Sequence, residues 1–443
     1  MPMRHKLSWL LFAAALLLTP AVQADRAAVE SVMAEMSRAV LAGDKAAYLR
    51  CVDRTDRIFF QEQENWAKDL DTYVPEVFAL AIEFPGDDKP SDAAKSDADG
   101  KVDAPVKPED APKPSESDKP EPAKPGAEAP AADRPAPVRP STAKPVPEPV
   151  FAAGEARFSL VTSWKMPKAS RQRKVTFPVK FVLRDGRWLY AGEDWLVIER
   201  PPAAATGFRG VRVRHFAGME QIASRIADAM PEVRAYVDDF LGITVPQVQE
   251  VKLYKSMTHL QESIYLSYTD GLGGWNEPGE SIKFLGGSQN MGPGSIKSLL
   301  AHEYGHVATF AYGPQITDAP WWFVEGIADL CSGHFRTNPA SRRDGTVLAW
   351  AKRDRLAPWD EMDDFRKTDR KWMGNVYTQG EHMCAFITEQ FGDDGRNRLL
   401  ATLGHEKDFR KAFQATFGVP FDQIDAQWRA AVNEQLRSQS AGL

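Results

Sequence analysis

The sequence predicts an α+β protein: a helical lead, a strand-rich region, and then a mainly helical half with a small β-sheet. Three observations carry this. Apolar residues recur at helical spacing over much of residues 25–80. Runs rich in β-branched and aromatic residues fill 156–192. Beyond residue 205, long helical patterns alternate with short strands.

At 443 residues the chain is long enough for two or three domains, and a 43% hydrophobic content suffices for sizeable cores. A net charge of −6 without a basic stripe argues against nucleic acid as a partner. Three cysteines are too few for a disulfide scaffold. Cys331 and Cys384 both fall in the C-terminal half and could pair, leaving Cys51 over.

The chain opens on a secretory pattern. Arg4, His5 and Lys6 form a basic start, residues 7–18 are an apolar run too short to cross a bilayer comfortably, and Val22-Gln23-Ala24 fits a cleavage site. Residues 1–24 are therefore expected to be a signal peptide cleaved after Ala24, with the mature protein periplasmic or secreted. No later stretch is long and apolar enough for a membrane-spanning helix.

Val29, Val32, Met33, Met36, Val40 and Leu41 keep helical spacing, Gly43-Asp44 breaks it, and it resumes from Lys45 through Trp66. From Tyr73 the character turns to strand. Residues 85–149, rich in Pro, Ala, Lys, Asp and Glu, hold almost no large apolar side chain. Such a tract cannot bury enough surface to offset its ordering entropy, so a disordered, semi-stiff insertion is expected. It is either plainly solvated or a contact for an envelope partner. Strands return over 156–164, 174–183 and 188–192, with Asp185-Gly186 as a hairpin turn. Helices, a strand, an insertion and a three-stranded meander resemble a SnoaL-like cone, the nuclear-transport-factor-like fold. That resemblance implies one domain over 25–200, with the tract as a loop inside it.

Pro201-Pro202 and residues 203–207 read as an inter-domain link. A strand over 211–216, a helix over 218–240, a strand over 249–254 and a helix over 256–267 follow. After a glycine-rich loop, 271–274, comes a further strand, 281–285. Gly292-Pro293-Gly294 breaks the chain, and Ser295 can cap the next helix.

That helix carries His302, Glu303 and His306, an H-E-x-x-H pattern. Positions i and i+4 share a helix face, so two imidazoles can grip one metal ion, while Glu303, turned about 100° around the axis, reaches towards a water beyond it. A catalytic zinc needs three protein ligands and an open position. Glu325 is the candidate third ligand. Gly313-Pro314 ends the first helix near Tyr312, a second can start at Pro320, and the short loop favours antiparallel neighbours. The outward run of about 9 Å and the return of about 7.5 Å bring Glu325 back level with His306. Asp329, one turn on, could accept a hydrogen bond from the outer nitrogen of a metal-bound histidine and fix its orientation. Gly305 costs about 1 kcal/mol relative to alanine in mid-helix, which a close backbone or substrate would explain.

His302-Glu303-x-x-His306, eighteen intervening residues, then Glu325-Gly326-x-Ala328 resembles the gluzincin branch of the zinc metallopeptidases, the peptidase-MA-like group. The resemblance is close over about thirty residues and looser over 205–435. It implies Zn2+ held by His302, His306 and Glu325, Glu303 as general base and acid, Asp329 behind a ligand, and a peptide or protein substrate. It also implies a small sheet before the metal helix whose edge strand lies along the cleft, where a peptide can add by main-chain hydrogen bonds; 281–285 is either that edge or an internal strand. The G-x-M-E-N segment of the aminopeptidase members is absent. Its nearest counterpart, 284–290, lacks the glutamate, which favours endo-cleavage.

Downstream, 347–351 can form a short helix, and 375–391 reads as a strong helix closed by Gly392. Residues 396–403, 409–417 and 421–436 complete a helical subdomain. Gluzincins stabilise the oxyanion with a Tyr or His from this region, and Tyr377 is the candidate, since a phenol donates while neutral. Trp321 and Trp322 are expected to pack the second helix onto the domain, and His334 and His382 to be ordinary polar residues. A second reading keeps the peptidase-like fold as a non-catalytic module that binds an envelope partner, with its metal structural or absent.

Overall fold

The computed structural model describes residues 20–84, 147–152, 154–269, 271–286 and 291–441. Most of the expected signal peptide and nearly all of the 85–149 tract lie outside them. The chain divides into one unit of residues 1–83 and 149–443 and a second of residues 84–148, and the elements described below belong to the first.

Helices α1 (Pro20–Leu41), α2 (Lys45–Leu49) and α3 (Arg57–Lys68) lead into β1 (Val77–Glu83). Asp56 caps α3, its carboxylate accepting from the Ile58 and Phe59 amides at 3.1 and 3.2 Å. β2 (Val150–Ala152), β3 (Glu155–Lys165), β4 (Arg173–Arg184) and β5 (Arg187–Glu193) follow. They build an antiparallel sheet ordered β1-β3-β4-β5, with β2 beside β3. Asp185 and Gly186, at φ 48° and 76°, supply the left-handed pair that a tight hairpin requires. Val29, Met33, Trp66, Phe158 and Phe181 share this half's core.

A second sheet takes β6 (Leu196–Arg200), β7 (Val211–His215), β8 (Gln249–Tyr254), β9 (Gly274–Trp275) and β10 (Ile282–Leu285) in the order β6-β7-β8-β10-β9. Its middle pairings are parallel and its outer ones antiparallel. β6 precedes Pro201-Pro202, so strand pairing crosses the expected link. Strand 282–285 is internal; the edge on that side is the two-residue β9. α4 (Glu220–Leu241) and α5 (Met257–Ile264) belong to the same half.

Then come α6 (Pro293–Phe310), α7 (Trp321–Gly333), α8 (Pro339–Lys352), α9 (Met373–Leu403), α10 (Phe409–Phe417) and α11 (Phe421–Ala441). The chain is thus α+β. Ser295 is not the cap of α6: Gly292 holds that position and Pro293 the first turn, so Ser295 already lies inside the helix. Pro320 is likewise the cap of α7 rather than its first residue. α9 breaks at Gly392, at φ 73° and ψ 171°, where the sequence ends a helix.

α6, α7 and α9 close on one another through small residues. A Cβ on Gly305 would stand 3.3 Å from Ala328 Cα of α7, and one on Gly326 would stand 2.6 Å from the Gly380 carbonyl of α9. The neighbour that Gly305 makes room for is therefore helix α7, through the Ala328 backbone and the Cys331 side chain alike. Cys331 and Cys384 are both buried and both free, so the pairing that the sequence left open does not form.

The two halves of the unit meet across buried charge. Lys252 of β8 bonds Glu62 of α3, both nearly inaccessible, and Lys283 of β10 bonds Glu280 at 3.0 Å. Asn65 reaches Glu280 at 2.8 Å, and the Trp66 and Trp164 indoles donate to the carbonyls of Glu262 and Leu266. Charges this deep hold only when paired and hydrogen-bonded. The carboxylates outnumber their cations. Burial first, then the neighbouring Glu193, pushes the Glu262 carboxyl from 4.5 up to about 8. Its folded form therefore binds a proton more tightly than the unfolded chain does. That stabilisation is complete below about 4.5 and is lost as pH rises through about 8. The urea midpoint should accordingly fall between pH 5 and 8, and E262Q, which cannot ionise, should flatten that slope in equilibrium unfolding followed by circular dichroism.

Candidate metal centre

The pattern on α6 and the returning α7 put the expected residues around one point. His302, His306 and Glu325 each offer one ligand atom, and these atoms all lie within 4.8 Å of one another, the one such group of metal-capable side chains among the described residues. The His302 and His306 Nε2 atoms are 3.3 Å apart, and Glu325 Oε2 stands 3.2 Å from the first and 3.5 Å from the second. A tetrahedral ion with bonds of about 2.0–2.1 Å separates its ligand atoms by about 3.3–3.4 Å. Two nitrogens and one oxygen are also a donor set that zinc favours. Among the described residues, Glu325 Oε2 and His306 Nδ1 are buried without a hydrogen-bond partner. The residues present fit a zinc ion.

The charges agree with this. Burial lifts the Glu325 carboxyl, but His306 and His302 outweigh it and hold the group well below the usual range. Burial pulls the His302 imidazole down, while the Asp329 and Glu325 carboxylates beside it raise it further than burial lowers it. A carboxylate beside two imidazoles is a site built to hold positive charge.

Asp329 lies where the i+4 spacing puts it. Its Oδ1 accepts from His302 Nδ1 at 3.0 Å and from Arg336 Nη2 at 2.7 Å, and Arg336 Nε also donates to Ser298 Oγ at 3.1 Å. Arg336 thus ties α6 to α7 behind the first histidine, a contact that no spacing in the sequence announces.

Glu303 is buried and lines a cleft of about 1450 Å3. Burial raises its pKa above 4.5, with the neighbouring imidazoles opposing and Glu325 and Asp329 adding to the rise. Its carboxylate lies over the backbone of Gly274 in β9, where any Cβ would fall 2.3 Å from Oε1. The edge strand along the cleft is therefore Gly274–Trp275, from the glycine-rich loop, rather than 281–285.

Tyr377 of α9 also lines the cleft, its ring centroid 6.3 Å from that of His302, and burial keeps its hydroxyl neutral far above pH 7. Trp322 is buried as foreseen, and Trp321, half-buried against the same core, does more than the packing expected of it: it sits at the cleft and donates its indole N–H to Glu325 Oε1 at 2.8 Å. His334 stacks on Tyr236, and His382 accepts from the Trp428 indole at 2.8 Å.

No family model matches the sequence, and no curated protein matches it. Similar solved structures include a point mutant of the M1 zinc metallopeptidase from Deinococcus radiodurans, at 13% identity and TM-score 0.33 over 61% of each chain. The mutant bound to a Tyr-Ser-Ala substrate gives 14% and 0.35 over 64% of each chain, and another structure of the enzyme gives 14% and 0.31 over 63% of this chain and 61% of that one. This chain thus spans under two thirds of their length. Likeness at that level carries no argument, and the site stands on its own geometry.

H306A should lose stoichiometric zinc in elemental analysis. D329N should retain zinc and bind it about 10–100-fold more weakly in chelator competition, because the ring it orients is released.

Proposed function

We propose that this chain is a zinc-dependent peptidase, a member of the gluzincin group, with His302, His306 and Glu325 as zinc ligands and Glu303 as the proton carrier. The observation that carries this reading is the spacing of those three ligand atoms at the edges of a tetrahedron, with a buried glutamate beside them facing the cleft. Zinc, when bound, supplies Lewis acidity that polarises a carbonyl oxygen and makes a water molecule acidic.

The chain's own residues do the rest. Glu303, its pKa raised by burial, takes a proton as water attacks the carbonyl carbon and gives it to the departing amine nitrogen. Tyr377, neutral and at the cleft wall, donates a hydrogen bond to the oxygen that gains charge. The cleft, at about 1450 Å3, has the volume for several residues of a peptide, and β9 offers an extended backbone beside Glu303 onto which a substrate strand can add. The missing aminopeptidase segment favours endo-cleavage.

The N-terminal half is read as a SnoaL-like cone that serves as a packing partner; α3 and the antiparallel sheet supply the side chains that meet Lys252 and the Glu262 and Leu266 carbonyls. The basic start and apolar run favour export to the periplasm or beyond, and no helix among the described residues is long and apolar enough to cross a membrane. A non-catalytic module that binds an envelope partner would have no chemical use for Glu303.

E303Q should bind zinc one to one and lose nearly all cleavage of a mixed peptide library read by mass spectrometry; undiminished turnover would refute the role given to Glu303. Zinc bound by the wild type with no peptide cleaved would favour the non-catalytic module. Y377F should lower kcat about 10²–10³-fold, with KM moving little.

A further inference from the structure

Glu325 carries two chemically equivalent oxygens, and only one of them faces the imidazoles. Oε2 is the atom within 3.2 and 3.5 Å of the two Nε2 atoms, whereas Oε1 accepts the Trp321 indole N–H at 2.8 Å. Helical side chains lean towards the N-terminus, so a glutamate at i+4 reaches back over a tryptophan at i. The indole cannot easily turn away. Phe365 stands edge-on to it at 5.1 Å and 81°, and Tyr377 at 6.0 Å and 78°. Trp322, next in sequence, sends its N–H elsewhere, to Asp363 Oδ1 at 3.2 Å. Only the first of the two tryptophans addresses the metal site.

We propose that Trp321 is a positioning residue that commits Glu325 to the metal through Oε2 alone and so keeps the fourth coordination position open. A carboxylate with both oxygens free can close on a divalent cation with both, and the second oxygen then takes the place a water needs. A hydrogen bond to a charged acceptor is strong enough to hold one oxygen away. Catalytic zinc sites depend on three protein ligands and one open position, and outer partners of this kind tune how a ligand binds. The inference rests on the reading of His302, His306 and Glu325 as metal ligands.

The test compares wild-type protein, W321F and a variant carrying a sulfur isostere of tryptophan, which keeps the indole shape without its N–H. Each is loaded with cobalt(II), whose visible bands report coordination number. The two variants should show weaker, shifted bands typical of higher coordination, about 10–100-fold weaker metal binding in chelator competition, and a fall in kcat larger than any change in KM. W322F, which removes a neighbouring indole N–H without touching Glu325, should keep the wild-type bands. If W321F proves unstable, the isostere alone decides. Wild-type bands and metal affinity in the isostere variant, with wild-type enzyme that binds metal and cleaves peptide, would overturn the role of Trp321 and leave the peptidase reading standing. Wild-type protein that binds no metal would overturn both.

Discussion

The close approach of α6 and α7 is the constraint on which the centre depends. Two imidazoles one turn apart define a line of donors, and a third donor completes a metal site only if another backbone comes near. Gly305, against the Ala328 backbone, permits that approach, and Gly326 against Gly380 permits the next helix to back it. A side chain at Gly326 would force α7 off α9, whereas one at Gly305 would ask α7 to give by a few tenths of an ångström at Ala328 and Cys331. The cost of glycine within a helix is of order 1 kcal/mol each, small beside the burial of three packed helices.

Around that contact the polar groups form a graded set. The first histidine is backed by Asp329, which is backed by Arg336; the third donor is backed by Trp321; the outer nitrogen of His306 has no partner among the described residues. Orientation is therefore supplied to His302 and Glu325 from behind, while His306 is oriented by its place on the helix. Glu303 is held differently, by the nearness of a backbone without a side chain at Gly274. Every one of these supports lies on α6, α7, the turn after it, or the β9 edge.

The second organising feature is the buried charge between the halves. Sheet strands β8 and β10 place Lys252 and Lys283 inward, where hydrophobic residues would be expected, and α3 supplies Glu62 from a different part of the chain. Removal of one partner leaves a desolvated charge behind, so each of these buried side chains needs the one that the other half supplies. The bond from Arg366 to Asp69, at 3.0 Å, repeats that dependence near the rim of the cleft.

Much of this was legible in the order of residues because it is local. Helical spacing places His302, Glu303 and His306 by chain geometry alone, the i+4 rule places Asp329 behind His302, Asp185-Gly186 sets its hairpin, and the short loop between α6 and α7 brings Glu325 back to the right height. What needed the folded chain were contacts between segments distant in sequence or between side chains whose direction spacing does not set. These are the edge strand at Gly274–Trp275 instead of 281–285, the pairing of β6 across the expected link, Arg336 on Asp329, the indole bond of Trp321 to Glu325 where Trp322 bonds Asp363, and a lysine, Lys252, buried against a glutamate 190 residues away. Periodicity encodes which face of a helix or strand is apolar. It carries no record of which distant surface will cover that face, because that is decided when all the elements compete for the same interior.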